Sequence, residues 1–303
     1  KIIIWFFVNL FVSIYGLFFL WKYPYFFSDC LLAYTVKNLR KNDLANNYFF
    51  NQSSHIYRPY WTYIAEKKKC NIIFYFYSTN IIELCSKNMN IPDYLGWKSI
   101  NWSNFYFWNN NQKDYIKRFV KSCNYKITGP INFIPTIKGN NINIDGKYIL
   151  VFDIRPSRLR LYSFLGKPFD FYTSSNTIKF INDIYNLTKK YKIKIVIKQK
   201  RFIVGGNKLE DPTYFNFLKK ISENSDVIVH YGSEGDGLYE IIKKSLITIS
   251  MPYTSTAIIS KEINSNTVYY DPTGILRNDD FITNNILTLN SKDNLIEYFK
   301  NKL

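Results

Sequence analysis

Five short runs of β-branched and aromatic residues recur through the second half of the chain: Tyr148 to Asp153, Ile193 to Lys198, Val227 to His230, Leu246 to Ser250 and Thr267 to Tyr270. Between them lie segments with helical patterning, Asn176 to Tyr191, Thr213 to Glu223, Leu238 to Lys244 and Ser255 to Ile263, and Lys292 to Asn301 closes the chain. Alternation of this kind predicts a parallel sheet, because each parallel pair needs a crossover and a helix is the usual one. The runs are too apolar to face water, so helices must cover both faces. Right-handed crossovers then bring the carboxyl ends of the strands to one edge, where open α/β sheets hold their ligands.

The first half carries the same signal more weakly. Pro59 to Lys69 reads as a helix with its proline in the first turn, and the apolar run Ile72 to Tyr77 reads as a buried strand. A helical stretch near Thr79 to Lys87, a strand around Phe105 to Trp108, a helix from Gln112 to Lys121 and a short segment from Lys126 to Phe133 follow. Pro135 to Lys147 is rich in Asn and Gly, the composition of a connection between domains. The chain has 303 residues, near the size at which single cores stop growing. The expected organisation is therefore an apolar helix at 1–22, a first α/β domain at 23–145 and a second at 146–303.

Residues Ile2 to Trp21 carry no charge and are bounded by Lys1 and Lys22. At about 1.5 Å per residue such a helix is long enough for roughly 30 Å of hydrocarbon. Asn9, Ser13 and Gly16 interrupt it, and no small-residue cleavage site follows, so a membrane-associated helix and one packed on the enzyme both stand as readings. The chain starts with Lys, not Met, which is compatible with a fragment or a trimmed product.

The formal charge is +17, which suits anionic partners in general. Its lysines are spread along helices among Asn and Ile, whereas a nucleic-acid interface needs a contiguous cationic stripe with exposed aromatics, so nucleic acid is not expected. The four cysteines, Cys30, Cys70, Cys85 and Cys123, form no C-x-x-C pair, and His55 and His230 are the only histidines. Neither a zinc site nor a Ser-His-Asp triad is indicated, and a reducing compartment fits.

Chemistry-bearing residues gather where the second set of strands ends. After Ser250 the sequence Met251, Pro252, Tyr253, Thr254, Ser255 opens a helix, offering hydroxyls and free backbone amides to a phosphate, although ordinary helix capping explains the same residues. Lys198, Gln199, Lys200 and Arg201 end another strand and would deliver three cations to the same edge, where a diphosphate would sit. The loop Tyr231 to Gly237 follows His230 with three glycines, so that the backbone around Gly232, Ser233 and Glu234 can approach a ligand closely. It is not a dinucleotide fingerprint. Asp153 places a carboxylate at the end of the first strand and is the leading candidate for a catalytic base or nucleophile; Asp170 in the following loop is the second. Each of the two also reads as a capping or surface residue. Asp271, after the last run, either touches the ligand or begins a turn.

These residues resemble a family. Met251-Pro252-Tyr253-Thr254-Ser255 is similar to the Pro-Phe-Thr-Ser signature of bacterial polysaccharide-biosynthesis proteins, with Tyr253 in place of Phe. Tyr57-Arg58-Pro59-Tyr60-Trp61, Phe76-Tyr77-Ser78-Thr79-Asn80, Lys198-Gln199-Lys200-Arg201 and Tyr269-Tyr270-Asp271-Pro272 look like that family's pattern too, so the likeness spans most of residues 50 to 275.

That resemblance implies a glycosyltransferase of the GT-B type, distantly like enzymes that move Kdo from its CMP-activated form. It implies two Rossmann-like domains, the first for the acceptor and the second for the nucleotide-sugar donor, with the reaction in the cleft between them and no bound metal. The nucleotide sugar is then a substrate, no cofactor is expected, and Lys198, Lys200, Arg201, Thr254 and Ser255 meet the donor phosphate. A glycan or lipid-linked glycan is the expected acceptor, and the cytoplasm, at the inner face of a membrane, is the expected location. The contrasting expectation is a noncatalytic assembly factor that keeps the fold without turnover.

Overall fold

The computed structural model describes residues 1–19, 23–51, 57–76, 78, 82, 84–91, 93, 95–120, 122–130, 144–154, 156, 170–199, 211–230 and 237–303. The chain divides into two compact units, Lys1–Tyr77 with Asp93–Ile131, and Ser78–Pro92 with Asn132–Leu303. The second unit thus includes a segment from the first half of the sequence. The fold class is the one expected: α/β, with parallel sheets, helices between the strands and an apolar helix at the amino terminus.

In the first unit, α1 (Ile2–Phe19) packs on α2 (Tyr23–Asn38), and α2 packs on α3 (Tyr60–Lys67). Its four-stranded sheet runs in sequence order, β1 (Asn47–Asn51), β2 (Asn71–Tyr75), β3 (Asn104–Phe107) and β4 (Asn124–Ile127), with every pair parallel. Helices α4 (Leu95–Lys98) and α5 (Asn110–Lys117) lie between strands. The core is aromatic: Phe50, Phe74, Phe76, Trp102, Phe105 and Phe107 are buried, and Phe74 packs on Trp102 with centroids 5.1 Å apart. Rings suit such a core because each removes a large apolar area from water with few torsions to freeze. Arg58 is buried at the mouth of α3, where its guanidinium donates to Thr62, Ser103 and Glu66 and lies over the Tyr63 ring.

The helix expected over Thr79 to Lys87 is not formed among its described residues. Ser86 instead makes an isolated antiparallel bridge to Leu276, Lys87 N donates to the Ile275 carbonyl, and Arg277 N donates to the Cys85 carbonyl. Long-range pairing takes up the backbone groups that a helix would have used locally.

The second unit holds a six-stranded parallel sheet in the order β10-β9-β8-β5-β6-β7. Its strands are β5 (Tyr148–Phe152), β6 (Lys194–Lys198), β7 (Val227–His230), β8 (Ile247–Ser250), β9 (Thr267–Tyr270) and a short β10 (Thr288–Leu289). Five match the runs read from the sequence; β10 is too short to leave a pattern. The helices are α6 (Ser174–Tyr191), α7 (Pro212–Ser222), α8 (Leu238–Lys244), α9 (Ser255–Ile263), α10 (Asp280–Thr283) and α11 (Lys292–Lys302). Odd-numbered β5 residues Ile149 and Val151 pack with Ile181, Ile195 and Ile249 on one face, while Tyr148, Leu150 and Phe152 pack with Val196, Ile241 and Ile242 on the other. This two-sided burial, at about 1.5–3 kcal/mol per large apolar side chain, is why the strands read as unbroken apolar runs.

Candidate functional site

The chain leaves β5 towards β6 and β7 on one side, then returns through α8 to place β8 on the other. Counted from β5 as the first strand, the order is 3-2-1-4-5-6, and the reversal falls between β5 and β8. In open α/β sheets such a reversal is the place where ligands bind, outside the carboxyl ends of the strands. Register fixes what borders it. Phe152 pairs with Lys198 of β6 and with Ser250 of β8, and Ser250 pairs with Tyr269 of β9. Lys198 and Ser250 therefore lie in one row across the sheet, flanking Phe152.

Asp153 is the next residue after β5 and is buried, 6% exposed. Its Oδ2 accepts from the Tyr214 hydroxyl of α7 at 2.6 Å and from Gln199 Nε2, just past β6, at 3.3 Å. The carboxylate thus joins two strand ends and a helix beside the reversal. Lys198 is buried as well, and its ammonium donates to the Gln199 carbonyl at 3.3 Å. Asp170, in contrast, is exposed four residues ahead of α6. Lys200, Arg201, Gly232, Ser233 and Glu234 lie outside the described residues.

The β8–α9 turn is the tightest piece of this edge. Tyr253 is buried with φ +65°, a left-handed conformation that costs a non-glycine residue energy and persists only where its surroundings impose it. Its hydroxyl donates to the Arg277 carbonyl at 2.6 Å, and burial pushes that phenol well above its ordinary pKa. Tyr172 donates to the Pro252 carbonyl at 2.6 Å, and Thr177 of α6 reaches the Met251 sulfur at 3.8 Å, so the start of α6 is stitched to the same turn. Ser78 Oγ lies 2.7 Å from Ser255 Oγ. Two of the sequence segments that carry the family resemblance are thereby brought into contact.

Helix α9 begins differently from four other helices of the second unit. Thr173, Asp211, Asp279 and Ser291 each cap their own helices by accepting a backbone N–H. Thr254, the N-cap of α9, makes no such bond; its hydroxyl donates to the Met251 carbonyl at 2.9 Å. The capping explanation of this hydroxyl is thus not the one the structure adopts, and the positive end of α9 is not neutralised by its own N-cap side chain.

Asp271 is completely buried, with Oδ1 accepting from the Thr273 amide and hydroxyl and Oδ2 from the Leu276 amide at 2.9 Å. It holds the turn that receives the Ser86 bridge. Gly274 belongs to that turn with φ +69°, and a Cβ there would meet the Asn290 carbonyl oxygen at 2.5 Å, so only glycine fits.

Sequence reasoning overlooked three polar atoms here. Ser174 Oγ at the start of α6, Gln199 Oε1 and Ser250 Oγ are buried without a hydrogen-bond partner. Buried polar atoms of this kind normally find partners, so three near the carboxyl ends of β5, β6 and β8 mark places where a ligand's polar groups would be matched. Ser250 left a trace in the sequence, as the single hydroxyl ending the β8 run, and Gln199 another, within the Lys198-Gln199-Lys200-Arg201 segment; Ser174 left none. Among the described residues no group of three His, Cys, Asp or Glu side chains is arranged to hold a metal ion, and all four cysteines are free thiols.

A family model described as polysaccharide biosynthesis PFTS motif protein matches residues 11–299. The chain belongs to this family. In the PFTS-motif protein described here the motif is Pro252-Tyr253-Thr254-Ser255, the turn at the reversal of the sheet. A search of curated proteins finds no significant match. Among solved structures, the UDP-GlcNAc 2-epimerase of Methanocaldococcus jannaschii is similar, with a TM-score of 0.51 at 9% identity, over 90% of this chain and 74% of that one. A putative UDP-N-acetylglucosamine 2-epimerase from Listeria monocytogenes gives 0.52 at 10% identity, over 90% and 70%. The Neisseria meningitidis UDP-GlcNAc 2-epimerase bound to UDP-GlcNAc gives 0.50 at 13%, over 90% and 71%. At such identities the likeness is one of fold, and the fold is of the GT-B type.

Proposed function

We propose that this PFTS-motif protein is a glycosyltransferase that takes a nucleotide-activated sugar at the carboxyl edge of the second sheet and passes the sugar to a glycan or lipid-linked glycan acceptor. The observation that carries the reading is the convergence at one strand-order reversal of a buried carboxylate, Asp153, a buried cation, Lys198, and the α9 amino terminus with its uncapped motif residue Thr254. Family membership points to polysaccharide synthesis, and a protein of similar fold is bound to UDP-GlcNAc.

Sugar transfer passes through a cationic anomeric centre as a phosphate departs, so a transferase must take up charge on the leaving group and manage the acceptor hydroxyl's proton. In this reading Lys198, Lys200 and Arg201, with the backbone amides at Thr254 and Ser255, stabilise the departing nucleotide. In the same reading Gly232, Ser233 and Glu234 contribute to donor binding. Asp271 contributes by holding its turn. Asp153 accepts the proton of the acceptor hydroxyl, with Asp170 the second candidate. The chain's own cations fill the part that a divalent metal plays elsewhere, the nucleotide sugar is a substrate and no separate cofactor is needed. The enzyme works in the cytoplasm at the inner face of a membrane, where a lipid-linked acceptor is presented.

A thermal-shift panel of CMP-, UDP-, GDP- and CDP-linked sugars tests the donor assignment. A ligand that binds only the native state adds about 2.7 kcal/mol at a hundred times its Kd. One nucleotide class should raise the melting temperature, and Lys200→Ala with Arg201→Ala should remove that response while the unliganded melting temperature stays put. No response to any member overturns the reading, and binding without sugar transfer to any glycan favours a noncatalytic assembly factor.

A further inference from the structure

Helix α1 is built inside out. In a water-soluble amphipathic helix the apolar stripe faces the neighbouring element and the polar residues face water. In α1 the partly or fully covered positions are Trp5, Asn9, Leu10, Ser13 and Gly16. At 100° per residue, four of them, Trp5, Asn9, Ser13 and Gly16, share one side, which contains every small or polar residue of the helix except Tyr15. Trp5 stacks on Tyr34 of α2 at 4.7 Å between ring centroids, and Asn9 turns its amide back to the Trp5 carbonyl at 2.8 Å. The remaining circumference, roughly two-thirds by the same spacing, is almost wholly apolar. Ile3, Ile4, Phe11, Leu17, Phe18 and Phe19 are each at least 60% exposed. More than half of the exposed large hydrophobic side chains among the described residues lie in this one helix.

A surface of that extent is not left bare in water. A single partner helix or a second copy of the chain seals one stripe, whereas here exposed apolar positions cover nearly all of the circumference that α2 leaves open. A hydrocarbon solvent covers all of them at once. The run has no charge between Lys1 and Lys22, and the chain's charge of +17 complements anionic headgroups. We propose that α1 is embedded in a bilayer containing anionic lipid, with its Trp5, Asn9, Ser13 and Gly16 side held on α2 and the rest of its circumference in the acyl chains. The attachment makes no use of the sugar site and stands whether or not that site is correctly assigned.

Flotation of the full chain with vesicles of phosphatidylglycerol and phosphatidylethanolamine tests it. The wild type should float with the vesicles and stay bound in high salt, since burial in hydrocarbon is not screened. Ile4→Asp, Phe11→Asp and Phe18→Asp together, all on the outward side, should lower the bound fraction by about tenfold or more, given the cost of a carboxylate in hydrocarbon. Melting followed by circular dichroism, and the nucleotide-sugar response of the same variant, should match wild type and show that the rest of the chain remains folded. Wild-type protein that stays with the soluble fraction, sediments as a dimer whose dissociation follows the triple substitution, or is released by salt alone would overturn the proposal, as would a well-folded triple variant that floats like wild type.

Discussion

Both sheets of this PFTS-motif protein are parallel, yet their carboxyl edges are finished in opposite ways. The first sheet adds each strand beside the last, and among the described residues at its carboxyl edge rings meet: Trp108 is buried just past β3 and its indole N–H donates to the Phe76 carbonyl just past β2. The second sheet reverses its strand order beside β5, and there the edge carries Asp153, Lys198, Gln199 and Ser250, all buried and polar. An edge packed with rings needs only packing to be stable. A sheet that buries charge and leaves hydroxyl and amide atoms unmatched keeps groups that packing alone would not select. The proposed function accordingly puts chemistry at the second edge and support at the first.

The largest expected effect breaks or upholds that assignment directly. Asp153→Asn keeps the size of the side chain and the Tyr214 contact but removes the base, so sugar transfer should fall about 10²- to 10⁴-fold with donor affinity retained. Trp108→Phe, at the matching edge of the first sheet, should leave turnover near wild type in the same assay. Equal losses in the two variants would erase the distinction. Next in size is the difference between the cores. Phe74→Ala should lower the unfolding free energy by about 3–5 kcal/mol, whereas Ile249→Val in the second sheet should cost about 0.5–1.5 kcal/mol, both measured by denaturant titration. The smallest effect concerns the motif turn. Tyr253→Phe leaves the Arg277 carbonyl without its donor and should cost about 1 kcal/mol in the same titration, with the donor response unchanged. A loss of donor binding in that variant would move the Tyr253 hydroxyl from scaffold to site.

Much of the architecture follows from the linear chain because its causes are local. Unbroken apolar runs such as Tyr148 to Phe152 and Ile247 to Ser250 announced strands buried on both faces, and the α9 start was marked by the hydroxyls after Ser250. The segment from Thr79 to Lys87 misled for the complementary reason: its helical composition was overruled by pairing with residues 275–277, almost two hundred positions away. Separation along the chain likewise hid Tyr214, 61 positions from Asp153, and Ser78, 177 positions from Ser255.

What the sequence determined by itself is five strands of the second sheet with most of the helices between them, the parallel sense of that sheet, the uncharged amino-terminal helix and membership of the polysaccharide biosynthesis PFTS motif family, since periodicity, composition and motif are properties of neighbouring residues. Strand order was decided only in three dimensions. Each crossover can carry the chain to either side of the strand it leaves, and no local pattern records the choice, so the reversal beside β5, the row that sets Lys198 and Ser250 on either side of Phe152, and the strained turn at Tyr253 exist only once the whole sheet is assembled.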